Sequence, residues 1–347
     1  MTINISCYEQ AAPRSTDRLQ YRVLSELSEV SQISPEWDRL LAASPCNRAF
    51  GSAEWYIASC RLHSSSAPYL VVATSETEIV GILALVLNPE DGVARFPHYM
   101  TDYNDIVARG DNPSLSADLL SYALMSQGGC KKIVLTRLRQ DSNCVKAAPF
   151  IAAHPNIDLD HREIHAYRYI SLPRSFDEYI ASRRRRFRKS VRSAQRVVEN
   201  SHLIIRELRP DNFDAAQLSE LFISLATTRQ KEESFFWQTQ AQSFVREVFP
   251  LIFRKRSLRA FALLEGERVI AMELCMARAN GLGAWNGGFL AEAECWSPGK
   301  VLIAFGIKQS IDMKLEEYDF MLGEEAYKAS WADSSYAVSE MQLTAKG

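Results

Sequence analysis

A pattern that occurs twice limits what this chain can fold into. VVATSETEIVGILALVL, beginning at Val71, and FALLEGERVIAMELCMA, beginning at Phe261, each set two apolar, β-branched runs around a short polar connection. Runs of that kind joined by a few polar residues read as β-hairpins. The two stretches are offset by 190 residues, which puts Gly81 opposite Ala271. The segments after each hairpin follow in the same order of strand, helix and strand. In the first half these are Asn104–Ala108, Ser114–Gln127 (ended by Gly128-Gly129) and Lys131–Thr136. In the second they are Leu282–Phe289, a helix from Lys300 to about Glu316, and Asp319–Leu322. A succession of elements shared at a fixed offset predicts an internal pseudo-repeat.

At 347 residues the chain has room for two such units. Ser171-Leu172-Pro173 is the expected link, because a proline disfavours helix in the residue before it. The expected division is 1–172 and 173–347. Outside the repeat, the pattern predicts a strand at Tyr21–Leu24, a helix capped by Ser34 with Pro35 in its first turn, and a helix over Ala53–Leu62. Ile164–Ile170 reads as a strand. Helices are expected over Phe176–Asn200, Phe213–Arg229 and Gln240–Arg254, and the first 18 or so residues read as polar and frayed.

Composition narrows the function classes. The net charge of -2 rules out a chain that is polybasic throughout, so any polyanion must meet a local patch. The seven cysteines are scattered with no CxxC pair, and the six histidines show no ligand spacing, so neither a disulfide framework nor a metal site is expected. The longest apolar run, Val301–Ile307, is far too short to cross a bilayer. The opening MTINISCYEQ lacks the basic-then-apolar order of a secretory leader, and a cytoplasmic location is the simplest expectation.

Four groups of residues could carry chemistry. Trp296-Ser297-Pro298-Gly299-Lys300 joins a strand to an apolar helix. Free N–H groups, the helix dipole and the Lys300 charge there suit a pyrophosphate, though Ser297 and Pro298 equally suit a plain helix start. Asp319–Trp331, DFMLGEEAYKASW, runs from a strand into a loop. In it Lys328 could hold an oxyanion or phosphate and Glu324 an amine, or the two could be ordinary surface charges. Arg183–Arg186, Arg188, Lys189, Arg192 and Arg196 surround Phe187, Val191, Ala194 and Val198, whose spacing makes a helix with one apolar and one basic face. That face is either simply solvated or meets an anionic partner: CoA phosphates, a nucleotide sugar, an acidic polysaccharide, tRNA or a membrane. Glu273 lies inside an apolar strand, where burial would raise its pKa and suit a general base unless Arg278 pairs with it. Asp102 and Asp105 are further candidates to orient an acceptor, although Asp102 could equally cap a turn.

WSPGK before an apolar helix, followed by D-F-x-x-G-x-E-x-Y-K-x-x-W, resembles the C-terminal signature of CelD/BcsL-type acetyltransferases. Phe50-Gly51-Ser52-Ala53-Glu54-Trp55 and Thr101-Asp102-Tyr103-Asn104-Asp105 resemble that family's F-x-S-x-x-W and D-Y-x-D segments. The resemblance implies an α/β (α+β) fold of two GNAT-like lobes, each a mixed, mostly antiparallel sheet flanked by helices and related to the FemABX peptidyltransferases. It further implies an acyl-CoA donor, such as acetyl-CoA, at Ser297, Pro298, Gly299 and Lys300. An acceptor, small or saccharide, would lie between the lobes near Tyr103, Glu324, Tyr327, Trp331, Arg185 and Arg188. Glu273, Lys328, Asp102 and Asp105 are the expected catalytic groups. The chain departs from the usual GNAT phosphate loop, since only Pro298-Gly299-Lys300 stands for its glycine-rich pattern. The competing expectations are an aminoacyl-tRNA-dependent peptidyltransferase and a non-catalytic pair of lobes that binds an anionic polymer.

Overall fold

The computed structural model describes residues 19–62, 65–97, 99–126, 128–229 and 235–346. The frayed start, His63, His98 and the expected helix end at Gln127 lie outside them. The first half comprises β1 (Leu19–Leu24), α1 (Leu27–Gln32), α2 (Ser34–Ala42), α3 (Ala53–Leu62), β2 (Ala67–Ser75), β3 (Glu78–Asn88), β4 (Val93–Arg95), β5 (Val107–Ala108), α4 (Pro113–Met125), β6 (Lys132–Arg139), α5 (Asn143–Ala152) and β7 (Ile157–Ser171). The second comprises α6 (Phe176–Ser182), α7 (Arg185–Glu199), β8 (Leu203–Leu208), α8 (Ala215–Arg229), α9 (Thr239–Arg254), β9 (Leu258–Glu265), β10 (Arg268–Ala277), β11 (Gly281–Phe289), α10 (Pro298–Asp312), β12 (Glu317–Asp319), α11 (Ala326–Trp331) and β13 (Ser334–Ala345).

The two hairpins match down to a bulge. Ala73 pairs with Gly81 and Thr74 with Ile79, leaving Val80 as the extra residue. Leu263 pairs with Ala271 and Leu264 with Val269, leaving Ile270. Each pair, and each bulged residue, recurs at the 190-residue offset read from the sequence. Each hairpin is followed by a parallel contact of only three residue pairs, Val93–Arg95 with Lys132–Val134 and Gly281–Gly283 with Glu317–Asp319. In each repeat a helix, α4 or α10, connects the two strands of that contact, as a parallel connection requires.

One continuous sheet joins the halves in the order β1-β2-β3-β4-β6-β13-β7-β12-β11-β10-β9-β8, with β5 on β3. The junction comes from β7 and β13. Late in the sequence, β13 enters between β6 and β7, and the end of β7 pairs with β12. Alternating apolar residues cover both faces of each half. Around the first half they meet α4 and α5 on one side and α1–α3 on the other. Around the second they meet α8 and α9 on one side and α6, α7 and α10 on the other.

Several local expectations shift. Phe176–Asn200 is two helices, because Arg183 and Arg184 are extended. The Arg183 guanidinium donates to the carbonyls of Trp331 and Ala332, which fixes the break. Ser34 does not cap α2; its hydroxyl donates back to the Val30 carbonyl and Ile33 is the cap residue. The strand expected at Asn104–Ala108 shortens to Val107–Ala108, since Asn104 and Asp105 make other hydrogen bonds. The strand expected at Asp319–Leu322 is instead Glu317–Asp319, and Met321 beyond it has φ 55°.

Candidate functional site

In the second half, β11 and β12 part after three pairs. From Ala284 to Phe289, β11 runs on with ladder partners on β10 alone, so its other edge faces an opening shaped like a V. The register also shifts beside Leu274, where Trp285 is the extra residue on β11. Extra residues of this kind re-aim side chains and interrupt pairing.

Glu273 lies on β10 opposite Gly287, at the level of the opening. It is 8% exposed, and burial pushes its carboxyl up from 4.5 to about 8 against a smaller, opposing hydrogen bond from Tyr318. One carboxylate oxygen, Oε2, is buried with no hydrogen-bond partner. Arg278 is not its partner: that guanidinium bonds Glu317 and Asp141. Tyr318, from β12, is itself fully buried. A Cβ added at Gly306 of α10 would stand 2.9 Å from its hydroxyl, so this helix position needs a residue without one. Tyr327 is half-exposed; burial foremost, then Glu325 and Glu273, raise its phenol to about 12.

The two repeats differ where chemistry would sit. Leu83 occupies the position of Glu273 at the 190-residue offset and is fully buried. At the start of α4, the Asn112 side chain accepts from Leu115 N–H, beside Asp111. At the start of α10, Ser297 is left-handed (φ 51°) and makes no side-chain cap. Pro298 has no N–H to satisfy. Gly299 is exposed, and a Cβ added there would meet nothing within 4 Å. Lys300 donates to Ser190 of α7 at 2.7 Å. The α10 start is therefore open to solvent and free of acid, as an anion site requires, whereas the α4 start is already capped.

The loop after β12 meets the first half. Leu322 N–H donates to Asp102, whose carboxyl burial raises to about 6. Lys328 is 3% exposed; its ammonium donates to the Leu322 carbonyl at 2.5 Å and pairs with Glu325 at 2.8 Å. These contacts make Lys328 a brace for residues 322–325. Asp105 lies elsewhere: it is half-buried, desolvation raises its carboxyl to about 6, and it accepts from Ile106 N–H and from Cys144 N–H at the start of α5. Trp331 is core, its ring edge-on to Phe187 at 4.8 Å. Arg188 donates to the Ala181 and Arg183 carbonyls and so holds α6 to α7, whereas Arg185 and Glu324 are exposed. The opening thus brings together Glu273, Tyr318 and Tyr327, with Glu324 on the loop after β12, Lys328 in α11 and Asp102 reaching that loop from the first half. Among the described residues no group of three or more His, Cys, Asp or Glu is placed to hold a metal.

A buried ion network that has no counterpart among the sequence expectations ties this loop in place. Arg139 of β6 bonds Asp319 at 2.7 Å and Glu317 at 2.6 Å, and lies 3.9 Å over the Tyr336 ring. Asp319 also accepts from the hydroxyls of Tyr103 and Tyr336 and from Met321 N–H. β6, β12, β13 and the 101–105 segment thus converge on one carboxylate. The sequence signals are Asp319 at the head of the D-F-x-x-G motif and Tyr103 in the D-Y-x-D segment, where it is expected at the acceptor instead.

Residues 181–329 match the model of the acetyltransferase (GNAT) domain. The fold is GNAT-like. The crystal structure of FemX superposes with a TM-score of 0.64 at 13% identity, over 89% of this chain and 95% of that one. The structure of L-PGS from Bacillus licheniformis gives 0.56 at 10% identity, over 88% and 90%. The C-terminal domain (DUF2156) of a putative lysylphosphatidylglycerol synthetase from Agrobacterium fabrum gives 0.53 at 11%, over 91% and 92%. No curated protein matches the chain in sequence. Within the GNAT-like architecture, the region matched by the domain family contains Glu273, Tyr318, the open α10 start and Lys328.

Proposed function

We propose that the second half transfers an acyl group from an acyl-CoA, acetyl-CoA being the simplest, to an amine or hydroxyl by direct attack. The carrying observation is Glu273: a buried carboxylate with one unpartnered oxygen, at the level where β11 and β12 part. The pyrophosphate of the donor would lie at Gly299 and Lys300, where the Gly299 N–H, the positive end of the α10 dipole and the Lys300 ammonium meet. The acyl end would enter the V, where the free edge of β11 can donate to the carbonyl oxygen as charge develops on it. Glu273, in its ionised form, would take the proton of the attacking group, a step that contributes a factor of about 10²–10⁴. Tyr318 orients that carboxylate. Tyr327, half-exposed, would protonate the departing thiolate. Lys328 and Asp102 act on the loop geometry, and exposed Glu324 is free to meet a cationic acceptor. None of the cysteines is needed as a nucleophile; those within the described residues are buried except Cys295. The sequence resemblance to CelD/BcsL-type enzymes supports a saccharide or polysaccharide-precursor acceptor. No helix among the described residues is long and apolar enough to cross a membrane.

Thermal unfolding with increasing acetyl-CoA tests the donor. Ligand at about 100 times its Kd adds about 2.7 kcal/mol of stability. Lys300→Ala should weaken that gain, and Glu273→Gln should keep the gain while losing turnover. No shift with any acyl-CoA, together with tRNA binding that falls steeply with salt, would replace this reading by aminoacyl-tRNA-dependent transfer. Neither response would leave a binding module.

A further inference from the structure

Four of the cations of α7 point away from the donor site. Val191, Ala194 and Val198 face the core, at 0%, 8% and 3% exposure. Ser190, Ser193 and Val197 line the groove that contains Ser297 and Lys300. Arg185, Lys189, Arg192 and Arg196, spaced four, three and four apart, form a separate stripe, and all four are exposed. At 3.6 residues per turn this stripe is about a third of a turn from the groove and nearly opposite the buried face. It runs about 16 Å along the helix. Arg184, exposed just before the helix, stands at its N-terminal end, whereas Arg186, also exposed, is four residues before Ser190 and so lies on the groove side. None of these six cations has an ion pair among the described residues, although most other exposed arginines do. With a net charge of -2 on the whole chain, solubility does not call for such a concentration.

We propose that this stripe docks the protein on an acidic phospholipid surface, independently of acyl transfer. Three of the four stripe cations are arginines, whose planar guanidinium binds phosphate oxygens in pairs. A straight row of exposed charges on a rigid helix presents them along one line to a flat array of headgroups. RNA fits less well. The outward face carries no aromatic ring on which a base could stack. A helix held against its own protein also cannot enter the deep, narrow groove of an A-form duplex. Because the apolar face of α7 is buried in the core, attachment is electrostatic, without insertion, and therefore sensitive to salt.

Co-sedimentation with vesicles of phosphatidylcholine, with and without phosphatidylglycerol, tests this in the full chain. Binding is expected only with phosphatidylglycerol, and it should vanish between about 0.05 and 0.5 M salt. Changing Arg185, Lys189, Arg192 and Arg196 together to Gln should weaken binding roughly a hundredfold or more. The same number of charges removed elsewhere, at Arg39, Arg61, Arg109 and Arg162, should leave it within about twofold. The double change Lys189→Gln with Arg196→Gln, expected to give an intermediate loss, covers the case in which the fourfold variant fails to fold. Equal binding to both vesicle types, equal binding by the stripe and control variants, or stripe-dependent binding to duplex RNA in preference to vesicles would each overturn the proposal.

Discussion

Glu273→Gln should make the protein more stable as pH rises, by an amount the structure sets. In the unfolded chain this carboxyl titrates near its ordinary value of 4.5, and burial in the fold moves it to about 8. Between those two values the folded state holds a proton that the unfolded state has released. Stability therefore falls as pH rises, at about 1.36 kcal/mol for each tenfold change in proton concentration. The loss is absent below about pH 4.5, amounts to about 3 kcal/mol at pH 7, and levels off near 5 kcal/mol above pH 8. Glutamine has nearly the same shape and no proton to lose. Any change in its hydrogen bond with Tyr318 adds an offset that does not vary with pH. The assay is urea unfolding of both proteins from pH 5 to 9, reading the difference between them, so that Asp102, Asp105 and every other titrating group cancel. A difference that grows with pH and flattens above 8 is the expected result; parallel curves would refute the reasoning. Since only about a tenth of Glu273 is ionised at pH 7, kcat/KM should also rise through pH 8 in the unmodified protein.

Other changes address neighbouring parts. Tyr318→Phe removes the hydrogen bond that favours the charged carboxylate, so the rising limb of the pH–rate profile should move to higher pH; an unmoved limb would detach Tyr318 from Glu273. Arg139→Met leaves Asp319 buried without its cation and Glu317 with Arg278 alone, and urea unfolding should report a loss of about 3–5 kcal/mol. A loss below about 1 kcal/mol would mean that the network contributes little. Gly288→Ala puts a Cβ within 2.6 Å of the Leu225 backbone, so α8 must shift; a cost of about 1–3 kcal/mol in unfolding is expected, and no cost would mean that α8 is not seated as described.

What the sequence disclosed follows the range of the forces involved. The hairpins were legible because alternation and turn chemistry are local, and their offset carried even the bulge at Val80 and Ile270. Glu273 stood out as a charge within an apolar strand. The long β13 went unread because its partners, β6 and β7, lie far away in sequence, and long-range pairing leaves little local trace. Arg139, Glu317 and Asp319 looked like ordinary strand-end charges, for which only the tertiary fold supplies partners. Lys328 and Trp331 belong to a motif that suggests substrate contacts, yet the structure turns both inward. Motif membership reports that a side chain matters without reporting which way it faces.

The placement of β13 bears on how the chain comes off the ribosome. Until Ser334–Ala345 has been synthesised, β6 and β7 have an unfilled slot between them, with two raw edges exposed to other chains. The earlier half thus waits, unsealed, while the residues from Leu172 to Ala345 are translated. Cutting the gene at the link near Pro173 would give an amino-terminal fragment inclined to aggregate and a carboxy-terminal fragment with a stray strand. Supplying β13 as a separate peptide should rescue the former.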